Sequence, residues 1–322
     1  MSKVAQFSKS GVDAMEANQI KKTKKPFRLY EHPWLGMLAS MCTSIAAMML
    51  AGTVVFGLLG LPDNQPLAQF THGISHHLLT ALVLTPFLLR LPKGKSSYKK
   101  YLEDIGLTRI QPFLRLVLLA LSCYLILALC QVLASIVYRL FEDYPVTWRF
   151  IRQAFDLSGD LPPVSAGLLV TIPSMFEELS ARGIILTTFL NKYSGRKAII
   201  FSSIGFGLMH LLNLANGREL IWVLGQVLWT FLIALFYGYV FVRTGSLLPS
   251  MIVHYLSNAF IGSLTGYIQV RASVEIQALY GVILSHGILP TTLMILWARF
   301  FMMKWIPVSG QSYLRRANEK GL

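Results

Sequence analysis

Eight stretches of the chain are predominantly apolar over about the length that a helix needs to cross a bilayer, roughly 20 residues. They lie near residues 35–61, 74–91, 113–140, 163–190, 197–213, 220–242, 247–266 and 278–303. Hydrocarbon offers no hydrogen-bond partner to a peptide group, so each run must satisfy its own backbone, and a helix does this within one segment. The pattern predicts an all-α polytopic integral membrane protein of about eight transmembrane helices. It divides into a basic arm over 1–34, a helical domain over 35–303 and a tail over 304–322.

Composition sharpens this picture. Of 322 residues, 54% are hydrophobic and only 14% charged, which excludes a disordered chain and fits an ordinary soluble domain poorly. The first run follows a long basic arm and has no small-residue cleavage site behind a short apolar core, so it is expected to stay as an anchor rather than be removed as a signal peptide. Cys42, Cys123 and Cys130 all lie in apolar runs with no CxxC spacing and read as packing residues. There is no P-loop, no GxGxxG and no internal repeat.

A net charge of +14 would suit nucleic acid, but the Lys and Arg residues sit in arms and short loops rather than on one aromatic-rich patch, so no nucleic-acid partner is expected. Membrane topology accounts for them. Counted on alternate sides of the eight runs, twenty-three lie with the two termini and five (Arg139, Arg149, Arg152, Arg218 and Arg271) lie opposite, with Arg182 inside a run. Basic loops resist translocation, so both termini are expected in the cytoplasm, and a bacterial cytoplasmic membrane is the expected location. Lys21, Lys22, Lys24 and Lys25 precede the first run, where each contributes about 1 kcal/mol near anionic lipid. The opposite-side loop 142–162, with Trp148, suits the interface.

Thirteen of the fifteen acidic residues fall in arms, loops or helix ends. Glu177 and Glu178 are the exceptions, halfway along the fourth run in Pro173-Ser-Met-Phe-Glu-Glu-Leu-Ser-Ala-Arg182. An ionisable group at that depth costs about 2.5 to 3.5 kcal/mol to insert, so three of them require compensation. Residues four apart share a helix face, which stacks Glu178 over Arg182 with the acid on the favourable N-terminal side. Glu177 has only Pro173 and Ala181 as face neighbours and is the free carboxylate. Pro173 removes a backbone hydrogen bond one turn before it and is expected to kink the helix.

Few other polar groups occur at membrane depth. His210 closes Phe206-Gly-Leu-Met-His210 in the fifth run, and His254 and Asn258 stand one turn apart in the seventh. Depth counting at about 1.5 Å per residue lets Glu177, His210, His254 and Asn258 meet around one cavity, read as opening to the cytoplasm. The set offers a base, a proton partner and hydrogen-bond donors. His286 has no polar companion at helical spacing and reads as structural; His76 and His77 read as interfacial.

The order Glu-Glu-x-x-x-Arg, Phe-x-x-x-His and His-x-x-x-Asn on three apolar helices resembles the CPBP family of CAAX proteases and bacteriocin-processing enzymes, also called the Abi family. The resemblance covers residues 173 to about 260, with the family-like core placed at 163–266. It implies an intramembrane endopeptidase with a cytoplasm-facing catalytic cavity, acting on a peptide or membrane-protein substrate with a prenylated or leader-type segment. Carried over, Glu177 and His210 activate a water, His254 and Asn258 stabilise the oxyanion, and Glu178 and Arg182 support the site.

Metal dependence stays open at the level of sequence. Glu177, His210 and His254 would also serve as three ligands of a catalytic zinc, and the family has been described as both metalloproteases and glutamate-type proteases. Without an HExxH pair the metal-free mechanism is preferred, and no cofactor is expected. Two readings from other classes use the same residues: a proton- or cation-coupled transporter, and a non-catalytic membrane scaffold or immunity protein.

Overall fold

The computed structural model describes residues 29–85, 95–142, 145, 147–149 and 164–307. The basic arm before residue 29, the end of the second apolar run at 86–91, most of the loop 142–162 and the tail beyond 307 lie outside the described residues. The described chain is helical throughout. Helix α1 spans Pro33–Leu58, its last six residues wound as π-helix, and α2 spans Pro66–Leu78 with a π continuation Leu79–Leu84. A short α3, Lys95–Asp104, precedes the long α4, Phe113–Phe141. The fifth helix, α5, starts at Val164–Met175 and continues through Leu179–Leu186 and Thr187–Leu190. Then come α6 (Gly195–Met209, ending in a 3-10 turn His210–Leu214), α7 (Leu220–Thr244) and α8 (Leu248–Arg271). Last are α9 (Val274–Tyr280, continued by Gly281–Ser285) and α10 (Ile288–Phe300).

Local chemistry sets the ends. Pro33 and Pro66 occupy first-turn positions, where the missing N–H costs nothing. Gly245 ends α7 in a left-handed conformation at φ 70°. The second helix therefore begins eight residues before the apolar run read from sequence, because Pro66 starts it while the polar residues of its first half do not stop it.

Five described stretches are long and apolar enough to cross a membrane on those criteria alone: α1, α4, α6, α7 and the α9–α10 stretch Val274–Lys304. The three expected spans that fall short are α2, α5 and α8. They are the ones loaded with polar side chains, including His76 and His77, the Glu177-Glu178-Arg182 group, and His254 with Asn258. In α5 and α8 the candidate-site residues lower the hydropathy, and in α2 the apolar end of the run lies outside the described residues.

Packing joins these three helices to one another and to the rest of the bundle. Helix α8 runs along α4 and contacts α5; α5 in turn carries α2, and α6 pairs with α7. Gly73 of α2 makes the α2–α5 contact possible, since a Cβ there would meet the Pro173 ring at 2.6 Å. One apolar cluster, containing Ile105, Leu186, Phe189, Phe241 and Leu247, fills the end of the molecule where α3 lies. A second, with Leu116, Leu127, Phe236 and Met294, binds α4, α7 and α10.

Helix α3, which the hydrophobic pattern does not predict, closes that first end. Tyr101 and Ile105 are 6% and 2% exposed, and Tyr101 donates to the Ala81 carbonyl at 2.6 Å. The chain then turns at Gly106, φ +77°, where a Cβ would meet Phe241 at 2.6 Å and the Gly245 carbonyl oxygen at 2.7 Å. Gly106→Ala combines a disfavoured backbone conformation with a clash against a second backbone, and should cost about 1–3 kcal/mol. Thermal unfolding in detergent should show a lowered midpoint for this variant and none for Gly57→Ala, whose Cβ would meet nothing within 4 Å.

Candidate active site

The winding of α5 changes at Pro173. Proline has no N–H and its ring crowds the preceding turn. The backbone passes through tighter turns, Phe176 N–H to Pro173 C=O at 2.9 Å and Leu179 N–H to Phe176 C=O at 3.0 Å, and then widens to π-helix over Leu179–Leu186. Glu177 and Glu178 sit at this transition, a place where helices often carry function.

The two acids end in different surroundings. The Glu178 side chain is 0% exposed, and its Oε1 lies 3.1 Å from both Arg182 Nη1 and His254 Nδ1. Arg182 is itself buried, with its guanidinium 4.3 Å from the Phe206 ring centre and 5.0 Å from that of Tyr237. Glu177 is 34% exposed, and its Oε2 is 4.0 Å from His254 Nε2. Helical spacing alone gave Glu177 no partner; the structure supplies one from α8.

His254 thus stands between two carboxylates. Its ring stacks on Tyr237 at 5.8 Å and meets the edge of Phe206 at 6.1 Å. The Ser257 hydroxyl donates to the His254 carbonyl at 3.0 Å. A carboxylate accepts, so Nδ1–H of His254 is committed to Glu178 and Nε2 faces Glu177. His210 begins the 3-10 turn at the end of α6, and its Nδ1 donates to the Phe206 carbonyl at 3.0 Å. That bond fixes the tautomer of a neutral ring and leaves Nε2 as an acceptor.

Glu177, His210, His254 and Asn258 all line one cavity of about 940 Å³. The same walls hold groups that sequence reasoning missed. His76 bonds Ser44 of α1 at 2.9 Å and lies 4.2 Å from the His77 ring, and both histidines line the cavity. Ser40, Ser44, Tyr237 and Ser257 line it too. A signal was present: Gly36, Ser40, Thr43, Ser44, Ala47 and Ala51 form a small-residue stripe on α1, all buried. His286 has a polar companion after all, Gln131 of α4 at 3.0 Å, together with Ser285 at 2.7 Å.

The cavity extends along the bundle: its lining continues past His210 to Asn213, Asn216, Arg218 and Gln277, at the end carrying the α6–α7 and α8–α9 connections. The opposite end of the described bundle is filled by the cluster around Ile105 and Phe241. The residues sequence reading offered to a zinc ion, Glu177, His210 and His254, do not form a ligand set, and among the described residues no three His, Cys, Asp or Glu side chains do.

Arg182 and Glu178 should behave as a unit. Arg182→Met leaves a buried carboxylate with only His254, which typically costs about 3–5 kcal/mol, whereas Arg182→Met with Glu178→Leu removes both charges and should recover most of the loss. Denaturation of purified protein in detergent measures this directly; equal stability of the single and double variants would show that the pair is not coupled.

Residues 160–260 match the family described as type II CAAX prenyl endopeptidase Rce1-like. The matched segment contains Glu177, Glu178, Arg182, His210, His254 and Asn258, and the match agrees with the resemblance read from their spacing. No curated protein and no solved structure matches the chain.

Proposed function

We propose that the chain, which residues 160–260 assign to the Rce1-like CAAX endopeptidases, hydrolyses a peptide bond at a water held between Glu177 and His210. At family level this is a CAAX-type intramembrane protease, and its apolar helices make it an integral membrane protein. The eight hydrophobic runs are taken as eight spans, the three polar ones shielded from lipid by the others. The observation that carries the reading is the contrast between two adjacent acids: Glu178 is sealed and paired, while Glu177 reaches a cavity that also receives two histidines and an asparagine.

In this mechanism Glu177 takes a proton from water as the oxygen attacks the scissile carbonyl, and His210 orients that water through its free Nε2. Asn258 donates from its side-chain amide to the oxygen that becomes negative. His254 can donate there from Nε2 only when its ring carries both protons, since Nδ1–H is engaged by Glu178. Glu178 and Arg182 touch no substrate; they position His254. No step is routed through a metal.

Glu177→Gln and His210→Ala should each lower cleavage of a membrane-anchored reporter peptide by at least about 10²-fold while the protein still folds. Terminal-peptide mass spectrometry of membranes from a deletion strain, complemented with wild type or Glu177→Gln, reads both the substrate and the loss. Full cleavage by either variant would sink the mechanism. Cleavage should also survive prolonged chelation; stoichiometric zinc lost together with activity would assign the reaction to the metal instead.

A further inference from the structure

One nitrogen in the cavity wall is unpaired. His77 lines the cavity, yet its Nδ1 is shut off from solvent and has no hydrogen-bond partner among the described residues. Its neighbour His76 is the contrast: the His76 ring is held by the Ser44 hydroxyl of α1 at 2.9 Å, and its carbonyl accepts from Thr80 at 2.9 Å. The two rings lie 4.2 Å apart, so a tethered His76 braces His77. Buried polar atoms in folded proteins are nearly always paired, and one that is not weakens the fold. Packing alone therefore does not account for an imidazole at position 77.

The packing of α2 against α5 sets where this ring stands. The two helices run parallel: Pro66–Leu78 lies along Val164–Met175, and Leu79–Leu84 along Leu179–Leu186. They touch at Gly73, where a Cβ would come within 2.6 Å of the Pro173 ring. Four residues further along each helix stand His77 and Glu177, about one turn on from the contact and on the face that makes it. Parallel helices in contact at one level are still side by side a turn later, which sets His77 at the level of Glu177. Both residues line the cavity, and the His77 ring is close enough to His254 of α8 for the two to interact electrostatically.

In the proposed mechanism Asn258 gives one donor to the oxygen that becomes negative, while the Nδ1–H of His254 is engaged by Glu178. A neutral imidazole carries one N–H. With Nδ1 of His77 sealed, the nitrogen that this ring can offer to the cavity is Nε2. We infer that His77 is a further catalytic residue, donating from Nε2–H to the developing oxyanion of the scissile carbonyl beside Asn258. The inference rests on the protease reading for its reaction, whereas the placement of the ring rests on helix packing alone. His77 lies outside 160–260, the segment that matches the family, so this donor is one that the chain adds from α2.

The test uses full-length protein purified in detergent and a prenylated, quenched-fluorescent reporter peptide. Wild type, His77→Leu and His77→Gln are compared, with Glu177→Gln as the reference for an inactive site. His77→Leu should lower kcat at least about tenfold with KM within about twofold of wild type, because the donor acts only as charge develops. Its thermal midpoint should not fall, since the variant loses an unpaired buried atom. His77→Gln, which places an amide N–H near the position of Nε2, should restore kcat to within about threefold of wild type. A lowered midpoint in His77→Leu, or failure of either variant to fold, would make the ring structural and overturn the inference. Unchanged cleavage by His77→Leu, a loss carried by KM alone, or no rescue by His77→Gln would overturn the catalytic role. Full cleavage by Glu177→Gln would remove the protease mechanism and this inference with it, whereas full cleavage by His77→Leu beside an inactive Glu177→Gln strikes the inference alone.

Discussion

The site depends on one carboxylate that does not reach water. Glu178 is fully buried, and an isolated ion there would cost several kcal/mol even after relaxation. Two cationic or hydrogen-bonding partners offset that cost, Arg182 from its own helix and His254 from α8, each 3.1 Å from the same oxygen. Arg182 rests on aromatic rings of α6 and α7, so a single charge cluster ties α5, α6, α7 and α8 together. A helix bundle in lipid gains nothing from hydrophobic exclusion between helices, and interactions of this kind are what can fix register there. The consequence for chemistry is orientation: with Nδ1 of His254 anchored by Glu178, Nε2 is turned toward Glu177.

The division of labour between neighbouring acids follows from the backbone. In uniform α-helix Glu177 and Glu178 would face about 100° apart, which already separates them. Pro173 adds a change of winding, tight before the pair and wide after it, so that Glu178 drops under the Arg182 guanidinium while Glu177 stays at the cavity wall. Gly73 on the facing helix admits the Pro173 ring at close range, so the irregular turn is packed rather than loose.

Much of this was legible in the sequence where the information is local. Apolar length gave an all-helical chain, and i, i+4 spacing gave the Glu178–Arg182 contact, because both ends of that contact lie on one element. Contacts between helices were not legible. Nothing in the spacing pairs Glu177 with His254, Ser44 with His76, or Gln131 with His286. The cavity-lining role of His76 and His77 was hidden for a specific reason: hydropathy started α2 at 74, whereas Pro66 begins it, so the histidines lie in the body of the helix and not at its start. Helix α3 was missed for the opposite reason. It buries Tyr101 but shows Lys100 and Asp104 to solvent, and so never forms an apolar run.

Sidedness is where local and global information pull apart. The charge asymmetry is a property of loops and arms, and it says nothing about where a cavity opens. Depth counting at about 1.5 Å per residue placed His254 nearer the cytoplasmic end of its run and Glu177 and His210 deeper in theirs, around a cavity read as opening to the cytoplasm. In the structure His254 lies at the end of the cavity beside α3 and Gly106, and His210 stands toward Asn213 and Asn216. A short amphipathic helix therefore closes the end of the bundle nearest Glu178 and His254. For a hydrolase buried in lipid, the route of water and substrate to the reacting carbonyl is set by such a seal as much as by the residues that act on it.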